Sequence, residues 1–208
     1  MSIVLEGLPE VFCLGADFSE IHRELKKKER TGPADPEPLY DLWLKLATGP
    51  YITVSHVRGK ANAGGIGFVA ASDIVLADDR AVFSLSELLF GLFPACVLPF
   101  LIRRVGFQKA HYMTLTTAPV PAQQACEWGL ADACEANSES LLRRHLLRLR
   151  RLSKTGIRRY KHYMSRLCKL PLQSKSEAVR ANKEIFSDPR NLEGIFRYVE
   201  DGKFPWEA

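Results

Sequence analysis

Glu87 lies in the run SLSELLFGLF, residues 84–93, where its neighbours are apolar or carry small hydroxyls. Burial in such a setting strips a carboxylate of water, raises its pKa and makes it a base matched to neutral pH. About twenty residues earlier, KANAGGIGFVAA at 60–71 places Gly64, Gly65 and Gly67 ahead of an apolar stretch. Residues 51–57, YITVSHV, are β-branched enough for a buried strand. A strand that turns through glycines into a helix leaves N–H groups without intrahelical partners. Such donors stabilise an anion, or a carbonyl oxygen on its way to becoming one. A base beside such donors suits removal of a proton next to a carbonyl. Asn62, Ser84 and Ser86 are candidate helpers that could hydrogen-bond a hydroxyl, although these residue types serve turns and caps equally well. Taken singly, the glycines also suit plain helix-on-sheet packing, and Glu87 suits a helix cap or an arginine partner.

These residues stand in an ordered set of four blocks: FCLGADF at 12–18, VRGKANAGGIGF at 57–68, SDIVLADDRAVFSLSELLFGLFP at 72–94 and AQQACEWGLAD at 122–132. The set resembles the crotonase (enoyl-CoA hydratase/isomerase) superfamily. Within it, NAGGIGFVAASDIVLAD, the long run after Leu85 and the closing FPW at 204–206 look most like one branch. Members of that branch are dehydratases of polyketide β-branching cassettes, acting on a 3-hydroxy-3-methylglutaryl group held by an acyl carrier protein.

The resemblance implies an α/β fold, a crotonase-like ββα spiral over residues 1–135, with a helical C-terminal extension at 136–208 in the same domain unit. It implies self-association as a trimer or dimer of trimers. The family binds a thioester oxygen through two backbone N–H groups, and these positions fall on Leu14 and Gly64. Hydratases of the family use two glutamates. One falls on Glu87, the other on Gly67, where no carboxylate exists. A single base still suits an elimination, taking the α-proton and passing it to the departing hydroxyl. The substrate's distal carboxylate calls for a cation, and Lys60 is the candidate, with Arg58 and His56 close in sequence. The family also implies a strand and a helix ahead of Ser2 that this sequence does not contain, so the N-terminal segment is expected to be short or missing, at a cost to stability rather than chemistry.

Composition sets wider bounds. With 46% hydrophobic and 25% charged residues over 208 positions, the chain is an ordinary globular sequence with one large core. The longest apolar run, 88–102, is broken by Pro94 and Pro99, so no membrane span and no secretory leader are expected. Cys13, Cys96, Cys126, Cys134 and Cys168 are scattered without ligand spacing. That pattern predicts reduced thiols in a cytoplasm, with Cys13 and Cys96 in the core and neither metal nor other cofactor.

Periodicity and punctuation predict a strand at 2–6, a helix from 18 with Asp17 as N-cap, and a helix at 39–47 burying Leu39, Leu42, Trp43 and Leu46. Between them, 26–38 reads as a loop over the acyl pocket, where Lys26 to Lys28 could meet the phosphates of a carrier arm. Further helices are expected at 95–105, 108–115, 121–128, 138–151, 154–167, 173–186 and 191–200. From Arg143 to Arg166 there are ten basic residues, and no acidic one separates Glu139 from Glu177. An acidic carrier protein is the partner that fits, docking near Arg150 and Arg151. A solvated helical face is the plainer reading. No nucleic-acid motif frames these arginines, so nucleic acid is not expected.

The leading expectation is therefore dehydration of a carrier-bound 3-hydroxy-3-methylglutaryl thioester to the 3-methylglutaconyl thioester. A general enoyl-CoA hydratase or isomerase on acyl-CoA, and a non-catalytic crotonase-like binding protein, stay open beside it.

Overall fold

Short aliphatic segments pair into two four-stranded sheets, and the chain alternates between them through its first six strands. A computed structural model describes residues 1–26 and 34–207. The first sheet orders β1 (Ser2–Glu6), β3 (Ile52–Val57), β5 (Ile74–Asp78) and β8 (Ala133–Glu135), all parallel. The second orders β2 (Val11–Cys13), β4 (Lys60–Asn62), β6 (Val82–Ser84) and β7 (Val120–Pro121), with only β7 antiparallel. Each strand of the first sheet up to β5 runs within a few residues into one of the second, and after β2 and β4 a helical segment leads back. This is the crotonase-like ββα spiral expected from the sequence.

Helix α1 (Phe18–Lys26) begins as expected, with the Asp17 carboxylate accepting from the Ser19 and Glu20 N–H groups at 2.9 and 3.2 Å. Of the loop expected at 26–38, residues 27–33 lie outside the described residues, and with them Lys27 and Lys28. Lys26 pairs with Glu200.

Helix α2 (Glu37–Thr48) buries Tyr40, Trp43, Leu46 and Ala47, while Leu39 and Leu42 are exposed. The expected face was thus off by part of a turn. Tyr40 wins the inner position because its ring packs 5.0 Å from Phe100 and its hydroxyl donates to the Pro171 carbonyl at 2.5 Å.

Helix α3 (Gly64–Ala71) is apolar on all sides and lies inside the molecule, with Ile66, Val69, Ala70 and Ala71 fully buried. The expected helix pair at 95–115 is α4 (Leu98–Thr116), broken at Gly106, whose φ of 78° and ψ of 163° are non-helical. After α5 (Ala122–Glu127) and β8, five helices complete the chain: α6 (Ser138–Leu149), α7 (Lys154–Leu167), α8 (Leu170–Gln173), α9 (Lys175–Ile185) and α10 (Pro189–Asp201).

Lys161 corrects the reading of the basic run as a solvated face. It is buried beneath α7, paired with Asp73, whose other oxygen accepts from Thr53 N–H at 2.8 Å. Of the other nine, Arg144 is held by both oxygens of Glu135, at 2.6 and 2.7 Å. Arg150 and Arg151, at the end of α6, are exposed.

Most of the core is one cluster around α2, α3 and α4. A separate, smaller cluster joins Phe90 and Leu92 to Ile195 of α10, with Phe18, Phe186 and Phe204 packed on it. Among the described residues, no helix is long and apolar enough to cross a membrane.

Candidate active site

A cleft of about 1070 Å³ opens between these two clusters. One wall is the start of α3. Ala63 there adopts φ 49° and ψ −122°, a positive-φ conformation that is strained for alanine. Two hydrogen bonds hold it, from Ala63 N–H to the Ser84 carbonyl at 3.2 Å and from Ile66 N–H to the Ala63 carbonyl at 2.9 Å. Strain of this kind persists where the surroundings over-determine it. The loop after β2 closes on the same spot. Gly15, at φ +90°, approaches so closely that a Cβ there would stand 2.8 Å from Ala63 Cβ and 3.0 Å from the Gly64 nitrogen. Leu14 and Gly64 therefore border one corner of the cleft. Neither N–H donates to a backbone carbonyl outside the regular elements among the described residues.

Glu87 lines the same cleft, at the start of a single 3-10 turn, Glu87–Phe90. Its Oε2 is buried and has no hydrogen-bond partner among the described residues. Burial pushes the Glu87 carboxyl up to about 7, against a smaller downward pull from its own N–H and that of Ser86. The turn ends at Gly91, φ +73°, where a Cβ would meet Asn191 Oδ1 of α10 at 2.3 Å. Phe90 packs edge-on to Phe18 at 5.1 Å and to Tyr198 of α10 at 5.2 Å. The catalytic candidate is thus propped by the far end of the chain.

Three of the hydrogen-bonding candidates form one chain. Ser84 Oγ donates to Asn62 Oδ1 at 2.8 Å, and Asn62 Nδ2 donates to Ser86 Oγ at 2.9 Å. This leaves the Ser86 hydroxyl proton free to donate elsewhere. Asn62 and Ser86 line the cleft, whereas Ser84 stands behind them and fixes the Asn62 amide.

Lys60 is not brought to the cleft. It is exposed on β4, and its N–H donates to the Glu10 carbonyl at 2.9 Å. Its sequence neighbours are engaged elsewhere: His56 Nδ1 meets Glu6 Oε1 at 2.7 Å, and Arg58 donates to the Gly7 carbonyl at 2.7 Å. Among the described residues, no lysine, arginine or histidine lines the cleft. Arg150 and Arg151 also lie outside it. Cys13 is half-buried and lines the cleft rather than filling the core. Cys96 is buried as expected, its thiol pushed up to about 11 by burial. Among the described residues, no three His, Cys, Asp or Glu side chains gather as metal ligands.

The structure adds residues that the sequence did not single out as site candidates. Asn182, Phe186, Ser187, Leu192, Tyr198 and Phe204 reach the cleft from α9, α10 and the segments after them. Trp43 also lines it, and explains Gly67. A Cβ at Gly67 would stand 2.2 Å from Trp43 Cζ2 and 2.5 Å from Cε2, so no glutamate fits there while this tryptophan keeps its place. The cue in the sequence was the glycine standing where the family has its second carboxylate; what faces it was not readable.

Comparisons with known proteins place the chain in a family and a fold. The family model described as enoyl-CoA hydratase/isomerase matches residues 1–208. A protein of Bacillus subtilis (strain 168) named bacillaene synthase dehydratase PksH is 64% identical over 205 residues, 99% of this chain and 79% of that protein. A crystal structure of a Bacillus subtilis protein described as a polyketide biosynthesis enoyl-CoA hydratase (pksH) superposes with a TM-score of 0.95 at 64% identity, covering 98% of this chain and 81% of that one. The 2,3-dehydroadipyl-CoA hydratase of Escherichia coli (strain K12) is 30% identical over 183 residues, 88% of this chain and 65% of that protein.

Proposed function

Because the chain belongs to the enoyl-CoA hydratase/isomerase family, and is a hydro-lyase of it, we propose that it dehydrates a 3-hydroxy-3-methylglutaryl thioester on an acyl carrier protein to the 3-methylglutaconyl thioester. The observation that carries this reading is Glu87: a largely buried carboxylate whose Oε2 has no partner among the described residues, with its pKa raised to about 7, in the same cleft as Leu14 and Gly64. The 64% identity to a protein named bacillaene synthase dehydratase PksH, and to a crystal structure described as a polyketide biosynthesis enoyl-CoA hydratase, supports the choice of pathway chemistry.

In the proposed reaction the thioester oxygen accepts from Leu14 and Gly64 N–H. Charge moves onto that oxygen as Glu87 removes the proton at C2. Each fixed donor of this sort lowers the barrier by about 3 kcal/mol. Glu87, now protonated, returns the proton to the C3 hydroxyl. The C3–O bond breaks, the C2=C3 double bond forms and water leaves. One carboxyl suffices because the proton taken is the proton given. No cofactor enters these steps; the phosphopantetheine thioester is part of the substrate. The acidic carrier would be steered by the exposed arginines around Arg150 and Arg151, and a trimer or dimer of trimers remains part of the proposal.

The test is intact-protein mass spectrometry of a loaded carrier incubated with the chain. Loss of one water, about 18 Da, in the wild type and its absence in Glu87→Gln supports the reading. No loss of water from the folded wild type refutes it.

A further inference from the structure

The proposed dehydration leaves one task unassigned, that of holding the C3 hydroxyl while Glu87 hands it a proton. Residues 84–87, SLSE, set two hydroxyls just before that glutamate. Leu85 turns inward, 1% exposed in the main core. Ser84 and Ser86 both meet the amide of Asn62, which pairs with Ser84 across β4 and β6. Ser86 stands at the N-cap of the 3-10 turn, where a serine oxygen ordinarily accepts from an N–H of the first turn. It makes no such bond. Its hydroxyl is therefore not a cap, and its proton meets no acceptor among the described residues.

The direction of these bonds matters. Ser84 Oγ donates to Asn62 Oδ1 at 2.8 Å, which turns Nδ2 toward Ser86, and Nδ2 donates to Ser86 Oγ at 2.9 Å. One lone pair of Ser86 is thus taken, and its O–H is left to point away from Asn62. Ser86 is half-buried and lines the cleft with Asn62 and Glu87. Its place relative to the proposed chemistry follows from connectivity. The Ser86 N–H pulls on the Glu87 carboxylate, and only the Cα–Cβ unit separates that nitrogen from the hydroxyl of the same residue. Asn62, in turn, is two residues before Gly64, and the Ala63 N–H between them donates to the Ser84 carbonyl at 3.2 Å. Short contacts therefore link Ser86 to the proposed base in one direction and to the segment bearing the Gly64 N–H in the other.

We propose that Ser86 is the residue that holds the substrate's departing C3 hydroxyl, donating its O–H to that oxygen, and that Asn62 and Ser84 position it to do so. This rests on the dehydratase reading above. A hydroxyl oxygen has two lone pairs. One accepts from Ser86 and the other takes the proton from Glu87, so both groups act on a single oxygen as the C3–O bond breaks. Ser86 keeps its own proton throughout. The water that leaves carries the hydroxyl's proton and the one that Glu87 removed from C2.

The experiment compares Ser86→Ala and Ser84→Ala with the wild type in two reactions. One is dehydration of the 3-hydroxy-3-methylglutaryl pantetheine thioester. The other is deuterium exchange at C2 of the 3-methylglutaryl pantetheine thioester, which needs the base and the N–H donors but has no hydroxyl for Ser86 to hold. For Ser86→Ala the expected result is a loss of about tenfold in dehydration kcat, the order of one hydrogen bond, with exchange within about twofold of wild type. Ser84→Ala, acting through Asn62, should show the same split with a loss of roughly a few-fold. Equal losses in both reactions would assign Ser86 to supporting the turn and overturn the proposal, as would dehydration by Ser86→Ala at the wild-type rate. Dehydration by Ser84→Ala at the wild-type rate would overturn the positioning role given to Ser84 and Asn62. A wild type that does not dehydrate would instead overturn the dehydratase reading, and this inference with it.

Discussion

The two walls of the cleft are built differently. The wall that offers N–H donors begins a helix sunk in the main core, where Ile66, Val69, Ala70 and Ala71 are fully buried and Ala63 is fixed by strain and two hydrogen bonds. The wall that offers the base is a single 3-10 turn, held by a small aromatic cluster and by α10 from about a hundred residues away. On the proposed mechanism, the donors sit on an element sunk in the main core, and the group that carries the proton sits on a short turn with local support. The division suggests that damage to the two walls should show differently: stability on one side, turnover on the other.

The largest effect should come from the second wall. Glu87→Gln is expected to cut dehydration by about 10²–10⁴-fold while the far-ultraviolet circular dichroism is unchanged; a variant with near-wild-type turnover would remove Glu87 from the chemistry. The same carboxyl sets the pH dependence. With its pKa raised to about 7, kcat/KM should fall close to tenfold per pH unit below 7, where the base is protonated. Stability follows the opposite sign. The folded pKa exceeds the unfolded value near 4.5, so the native state binds more protons between about pH 4.5 and 7 and loses stability as pH rises through that window. Glu87→Gln should accordingly melt higher than wild type at pH 8, and the two should converge below pH 4.5. Melting curves at both pH values check this.

On the first wall, Gly67→Ala forces a Cβ to within 2.2 Å of the Trp43 ring. It should cost about 1–3 kcal/mol in urea unfolding through overpacking. An unchanged midpoint would mean that the wall yields more easily than its burial implies. Gly91→Ala sharpens the contrast. A left-handed alanine costs about 1–2 kcal/mol, and Asn191 must swing away, so turnover should drop several-fold with little change at α3. Amide exchange can report the two regions separately. Smallest of all, charge reversal at Arg150 and Arg151 should raise KM for the carrier-bound substrate a few-fold at low salt and leave the pantetheine thioester unaffected. Loss of that difference at high salt would mark it as electrostatic steering.

What was readable from the sequence was mostly local. Asp17 as a cap, the glycine turn into α3 and the break at Gly106 all follow from a few adjacent residues. The convergence of Leu14, Asn62, Gly64, Ser86 and Glu87 on one cleft followed from the order of the family blocks. Features that depend on distant partners were not visible. Lys161 looks like any arginine-flanked surface lysine until Asp73, 88 positions away, is brought against it. The face of α2 depends on Phe100 and Pro171. Lys60 is near Asn62 in sequence, but it is exposed outside the cleft. Nothing in the sequence showed that Phe18, Tyr198 and Phe204 would gather around Phe90 in the turn bearing Glu87.

The contact between Gly91 and Asn191 also has a consequence for the order in which the protein becomes itself. On the ribosome, the strands and α3 emerge long before α10 does, at about 5–20 residues per second. The donor wall can form while synthesis continues. The turn bearing Glu87 lacks its prop until the last helix has cleared the exit tunnel. If the proposed roles hold, a nascent chain would present the donors for a thioester oxygen before it could move a proton, and competence for chemistry would arrive with α10.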